Sequence, residues 1–333
     1  MHSVKNGAEM GIIMCEKKCM ENYESNKIWI AQRADPYVYR HGDGCYYFTA
    51  TLPAYDGIAL RRAEALEELP YAGETLIWEK HKTGAMGAHI WAPELHYLQG
   101  KWYIYFAAGD AEDKWHIRPY VLECKGQDPM HDGWEERGML QCAEEDEFSF
   151  RSFSLDATVF EHKGQDYCVW AEKIGVGKMI SNLYIARMES PTKLATVQVL
   201  LTTPDYGWER QGFWVNEGPA VLKHNGKIYL TYSASDTGAN YCMGMLTLDA
   251  NGDPLDPHCW EKKRHPVLAS EDGKGVYGPG HNSFSTDREG NDVIIFHGRT
   301  RKEITGDPLD DPNRHTMIRK ILWKPNGEPV FRI

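Results

Sequence analysis

One stretch of this chain recurs five times, and that recurrence limits the fold more than any other feature. Its clearest copy runs from Asn216-Glu217-Gly218-Pro219 through Ala220-Val221-Leu222, a polar turn at Lys223 to Gly226, and an alternating run from Lys227 to Tyr232. β-branched and aromatic residues on both sides of an Asn-Gly pair predict a hairpin. The other copies open at Asp35-Pro36, Trp91-Ala92-Pro93-Glu94, Leu155-Asp156-Ala157 and His281-Asn282-Ser283. Their turn glycines are Gly44, Gly100, Gly164, Gly226 and Gly290, about 60 residues apart, somewhat longer than a usual propeller-blade repeat. Each unit supplies about four strands, none of which buries both faces alone. The expected fold is therefore all-β, a five-bladed β-propeller with a central active-site pocket.

The residue nine places before each turn glycine is Asp35, Trp91, Leu155, Glu217 or His281, with Asp156 one step later. In a radial fold these entrances face one channel. Carboxylates therefore stand at three of the five entrances. Convergent carboxylates in a concave site suit glycoside hydrolysis. One protonates the leaving oxygen, and another activates water on the opposite face of the sugar. A third beside the acid raises its pKa and orients it. Singly, each residue has a plainer reading. An Asp before Pro is ordinarily a cap, a lone His a satisfied hydrogen-bonding group, and Trp91 core. Recurrence at one register argues for all of them together. Glu94 lies off that register and is read as structural or rim. The segment Pro204–Trp214, which includes Phe213, is read as an aromatic rim loop suited to the apolar faces of sugars. It and Lys80–Ile90 are expected to close the pocket.

Residues 1–30 show no pattern and are read as an N-terminal arm, with 31–333 as a single catalytic domain. The net charge of −11 argues against nucleic acid and anionic membranes as partners. No apolar run is long enough to cross a membrane as a helix. Gly11–Cys15 is too short for a signal-peptide core, so a cytoplasmic location is expected. The eight cysteines show no disulfide framework, and Cys15 with Cys19 lacks the second pair of a zinc site.

The strings Ala34-Asp35-Pro36, Trp91-Ala92-Pro93-Glu94, Ser154-Leu155-Asp156-Ala157, Val215-Asn216-Glu217-Gly218-Pro219 and Tyr277-Gly278-Pro279-Gly280-His281-Asn282-Ser283 resemble family-43 glycoside hydrolases from about residue 30 onward. Within that family they are most similar to exo-acting α-L-arabinofuranosidases of α-1,5-arabinan. The resemblance implies inverting hydrolysis of an arabinose-containing oligosaccharide or polysaccharide. Asp35 would be the general base, Glu217 the general acid, and Asp156 the group that tunes and orients the acid. It places Arg299 against substrate and carboxylates, and Trp91 at the terminal sugar. Asn216 and Phe213 are counted with the substrate-binding residues. His281 would lie deep in the channel, where relatives often hold calcium or a water cluster. No cofactor is required for the chemistry. Thr300 stands where relatives often carry an aromatic. The alternatives are a β-xylosidase or bifunctional xylosidase/arabinofuranosidase, an endo-arabinanase, and a non-catalytic sugar-binding propeller.

Overall fold

A computed structural model describes residues 27–333. Cys15, Cys19 and most of the expected arm lie outside these residues.

Five antiparallel sheets follow one another along the chain. The first holds β1 (Ala34–Arg40), β2 (Tyr46–Thr51), β3 (Gly57–Ala63) and β4 (Glu74–Glu79). The second holds β5 (Ala88–Leu98), β6 (Lys101–Gly109), β7 (Arg118–Cys124) and β8 (Trp134–Met139). The third holds β9 (Ser154–His162), β10 (Gln165–Val176) and β11 (Lys178–Ser190), with the short β12 (Lys193–Leu194) and β13 (Val199–Thr202) both pairing with β11. The fourth holds β14 (Asn216–His224), β15 (Lys227–Ala234), β16 (Cys242–Asp249) and β17 (Trp260–Lys262). The fifth holds β18 (Tyr277–Thr286), β19 (Asp292–Arg299) and β20 (His315–Lys320). The first strands, β1, β5, β9, β14 and β18, contact one another in a closed ring, which makes the sheets the blades of a five-bladed β-propeller.

Each gap between neighbouring blades is filled by its own hydrophobic core. Tyr47, Ile58 and Leu60 meet Leu95, Ile104 and Phe106 between the first two blades. Tyr103 and Tyr105 meet Val159, Trp170 and Tyr184 in the next gap. Phe160, Val169 and Ile185 meet Ile228, Leu230 and Leu246 in the third. Leu222, Tyr229 and Met245 meet Phe296 and Met317 in the fourth. Val38, Tyr46 and Phe48 meet Val293, Ile295 and Ile318 where the ring closes. Burial of apolar area on both faces of every sheet, at about 25 cal/mol per Å², is what holds the ring together.

Closure departs from expectation. Pro329–Ile333 does not add a fourth strand to the last blade. Instead β22 (Pro329–Val330) pairs with β21 (Leu322–Trp323) in a separate two-stranded hairpin. The outer edge of β20 is met by residues from before the first blade. Trp29 N and Ile30 N donate to Thr316 O, and Thr316 N donates back to Ile30 O at 2.9 Å. The two ends of the ring are thus stitched through backbone hydrogen bonds that neither sequence segment specifies locally.

The register also differs. All five first strands carry a β-bulge, and the bulge residue has positive φ: Asp35 (52°), Ala92 (46°), Asp156 (56°), Gly218 (54°) and His281 (43°). Asp156 is therefore in register, and Glu217 precedes the common position, sharing its place with Trp91 and Leu155. Counting back from the turn glycine fails because the hairpin loops differ. Residues 41–45 and 287–291 form five-residue loops, whereas Gln99-Gly100, Lys163-Gly164 and Asn225-Gly226 are two-residue turns with both φ angles positive. A bulge turns successive side chains toward the same side, which lets a strand offer adjacent residues to the channel.

Candidate active site

The bulges deliver Asp35, Asp156, Glu217 and His281 into one cavity of about 770 Å³. Trp91, Trp115, Phe213, Trp214, Lys173, Tyr241, His297 and Arg314 also line it. The volume falls within the range of small-ligand sites.

Asp35 is buried, and its Oδ2 accepts the hydroxyl of Thr51 at 2.6 Å. His281 Nδ1 lies 3.3 Å from Oδ1. His297 Nδ1 lies 3.1 Å from the Asp35 backbone nitrogen and 3.2 Å from Asp35 Oδ1. Burial alone would push the Asp35 carboxyl up. The charge of His281, the contact with His297 and the Arg314 guanidinium outweigh burial and hold it well below the usual carboxylate range. Burial lowers His297 to about 4. His281 moves the other way: burial disfavours its charge, but Asp35, Asp156 and Glu217 together raise it above an ordinary histidine.

Glu217 is raised by burial first, with the negative charge of Asp35 adding to it. Its Oε1 accepts the Tyr241 hydroxyl at 2.8 Å, and the Tyr241 ring stacks on His297. Oε2 is left as the oxygen able to carry a proton. Asp156 is pushed up to about 8 by burial, with Glu217 and Asp35 contributing. Its Oδ2 accepts the N–H of Gly218 at 2.9 Å, so it anchors the residue that follows Glu217. Gly218 has no room for a side chain: a Cβ there would stand 3.1 Å from Cγ of His281. Two adjacent carboxyls with opposite shifts are the arrangement by which one pocket holds a base and an acid at the same pH.

Trp91 lines the cavity, stacked on His89 with ring centres 4.3 Å apart and edge-on to Tyr55. Phe213 is 64% exposed at the mouth. Two expected substrate contacts are placed elsewhere. Asn216 is fully buried, and its Nδ2 donates to Glu209 Oε1 and Val215 O. It braces the strand that carries Glu217 and does not line the cavity. Arg299 is also buried: its guanidinium donates to Thr237 O at 3.0 Å and Pro308 O at 2.8 Å, and Asp311 lies 3.7 Å away. It shapes the wall from behind, because Thr237 and Pro308 line the cavity. The arginine that does face the carboxylates is Arg314, from the loop before β20, held by the Tyr55 hydroxyl at 2.6 Å. Arg314→Met is expected to lower kcat/KM about tenfold with little change in Tm. Arg299→Met is expected to lower Tm, since it strips the Thr237 and Pro308 carbonyls of their buried donor. Michaelis kinetics and thermal melts on the two variants check this.

Glu94 Oε2 lies 2.9 Å from His96 Nε2, outside the cavity lining. No residue of Lys80–Ile90 lines the cavity. The walls come from Gly212–Trp214, the Lys173–Ser181 hairpin, Trp115 and Asp307–Leu309. Lys173, Tyr241, His297 and Arg314 carry no local motif.

Calcium takes six to eight oxygen ligands. The Nδ1 of His281 is directed at Asp35 Oδ1 at 3.3 Å and Asp156 Oδ2 at 3.9 Å. Among the described residues no group of three or more His, Cys, Asp or Glu side chains forms a metal cage. Among the described residues the donor set does not fit a protein-held calcium. The six cysteines among the described residues are free.

Three acidic side chains, brought from three of the five blades to one pocket, define a glycosidase-type propeller. Residues 25–329 match the model for glycosyl hydrolases family 43, and the chain belongs to that family. It is 47% identical to an extracellular exo-alpha-(1->5)-L-arabinofuranosidase of Streptomyces avermitilis, over 91% of this chain and 62% of that protein. It is 50% identical to a protein of the same name from Streptomyces chartreusis, over 84% of each. The crystal structure of an alpha-L-arabinofuranosidase from Lactobacillus brevis superposes with a TM-score of 0.87 at 48% identity, covering 94% of this chain and 97% of that one. The chain spans 62% of the length of the Streptomyces avermitilis relative and of a Humicola insolens one. The names also correct one expectation. Both Streptomyces relatives are extracellular, which overturns the cytoplasmic location read from the N-terminal sequence.

Proposed function

We propose that this chain is an inverting, exo-acting α-L-arabinofuranosidase that releases L-arabinose from α-1,5-linked arabinan or arabino-oligosaccharides. The observation that carries the reading is the opposite tuning of Asp35 and Glu217 in one aromatic-walled pocket. Asp35, ionised, takes a proton from a water that attacks the anomeric carbon. Glu217, protonated on Oε2, passes that proton to the leaving oxygen as the C1–O bond breaks. Asp156 keeps Gly218, and so Glu217, in place. Arg314 and His281 balance the negative charge around Asp35. Trp91 offers an apolar face to the terminal sugar, and Phe213 a second at the mouth. A pocket walled by loops favours removal of one end unit over cutting within a chain.

Incubation with linear α-1,5-arabino-oligosaccharides should give arabinose as the first and dominant product, with NMR showing the β-anomer at early times. Release of shorter oligosaccharides without arabinose, or an α-anomer first, would refute it.

A further inference from the structure

The tip of the β10–β11 hairpin reaches beyond its own blade and docks on the strand that carries Glu217. Lys173 pairs with Ser181 across that hairpin. Ser181 in turn bridges to Val215: its N–H donates to Trp214 O at 3.0 Å and its hydroxyl to Asn216 O at 3.2 Å. Val215 and Glu217 lie two residues apart, on the same side of their strand. Lys173, Ser181, Val215 and Glu217 therefore form one continuous piece of cavity wall.

Strand alternation separates the adjacent Glu172 and Lys173 of β10. Glu172 turns inward, accepting from Phe150 N, Ser152 N and the Trp170 indole. Lys173 turns to the cavity. Its ammonium sits 3.7 Å from the centre of the Phe153 ring. Among the described residues no carboxylate lies within ion-pair distance of it. The Lys178 ammonium lies over Trp214, 4.3 Å from the ring centre.

We propose that Lys173 is a positioning residue for the proton donor: held over Phe153, its ammonium supplies counter-charge as Glu217 becomes a carboxylate. The proposal rests on the arabinofuranosidase reading. In the step, the Glu217 proton moves to the leaving oxygen, the C1–O bond breaks, and negative charge appears on Glu217. The other charged or titratable groups facing Glu217 are Asp35, Asp156 and His281, from three first strands, and Tyr241, from the loop before β16. Of these Asp35 is the ionised acid, and it opposes the new charge. A lysine in direct ion pair with Glu217 would keep it ionised and useless as an acid. A lysine held off by a cation–π contact acts mainly once the proton has left. Burial disfavours the Lys173 charge, and Glu217 is the group that favours it.

The test compares two leaving groups. On α-1,5-arabinobiose the leaving oxygen must be protonated; on 2,4-dinitrophenyl α-L-arabinofuranoside it need not be. Lys173→Met, which keeps an apolar stem over Phe153, should lower kcat about tenfold on the disaccharide and less than about twofold on the dinitrophenyl compound. Lys173→Arg should recover most of the disaccharide rate, and Lys173→Gln should behave like Lys173→Met. Equal losses on both compounds, or none on either, would overturn the proposal. If the parent protein cleaves neither compound, the arabinofuranosidase reading falls, and this inference with it.

Discussion

Asp35→Asn and Glu217→Gln are each expected to lower kcat on arabino-oligosaccharides about 10³-fold, within the span of general acid–base contributions. The two variants should then part company on an activated substrate. A dinitrophenolate leaves without a proton, so Glu217→Gln should regain most of the lost rate on the dinitrophenyl arabinofuranoside. Asp35→Asn should not, because water must still be deprotonated. The physical basis is the asymmetry of the pocket. Asp35 is held ionised by His281, His297 and Arg314, while burial and the Asp35 charge keep Glu217 protonated. Steady-state kinetics on the two substrates, with circular dichroism as a check on folding, decide it. The reverse pattern would exchange the two roles, and retention of activity by either variant on both substrates would remove that residue from the chemistry.

The second large effect is on stability, and it has opposite signs at two carboxylates of one cavity. Asp156 is raised to about 8 on folding. Above its unfolded value near 3.8 the folded protein holds a proton that the unfolded chain has released. Stability is therefore lost as pH rises from there toward 8. Asp156→Asn removes that cost, and its side-chain oxygen can still accept the Gly218 N–H. The variant should melt about 3 °C or more above the parent at pH 8, with the gain vanishing near pH 4. Asp35 is depressed instead. Its contribution is present above the unfolded value and lost only as pH falls through the folded one. Asp35→Asn leaves His281 and Arg314 without their anion and should melt below the parent at pH 7. Melting curves from pH 4 to 8 on both variants test the pair. A lower Tm for Asp156→Asn at pH 8 would show that Asp156 is ionised and stabilising in the folded protein.

The sequence by itself determined the five-fold repeat, the hairpin turns, the propeller and the identity of the carboxylates. These are written in local chemistry: alternating β-branched and aromatic runs, Asn-Gly and related turn pairs, and an Asp or Glu at three of the five blade entrances. Family resemblance followed from the same five strings. The tertiary structure decided how the entrance residues align. Hairpin loops of unequal length hid the shared bulge, so Asp156 read as one step out and Glu217 as in register. It also decided which cation meets the carboxylates. Arg299 and Arg314 are both arginines beside strands of the last blade, and nothing local separates them. Only packing shows that Arg299 is spent on Thr237 and Pro308 carbonyls while Arg314 faces the cavity. Lys173 and the ring-closing pair Trp29 and Ile30 are placed in the same way, by contacts across blades. The reason is that periodicity and turn chemistry act over a few neighbouring residues. Charge pairing, burial and ring closure act between residues up to nearly three hundred positions apart, as from Ile30 to Thr316, and exist only once the blades have been brought together.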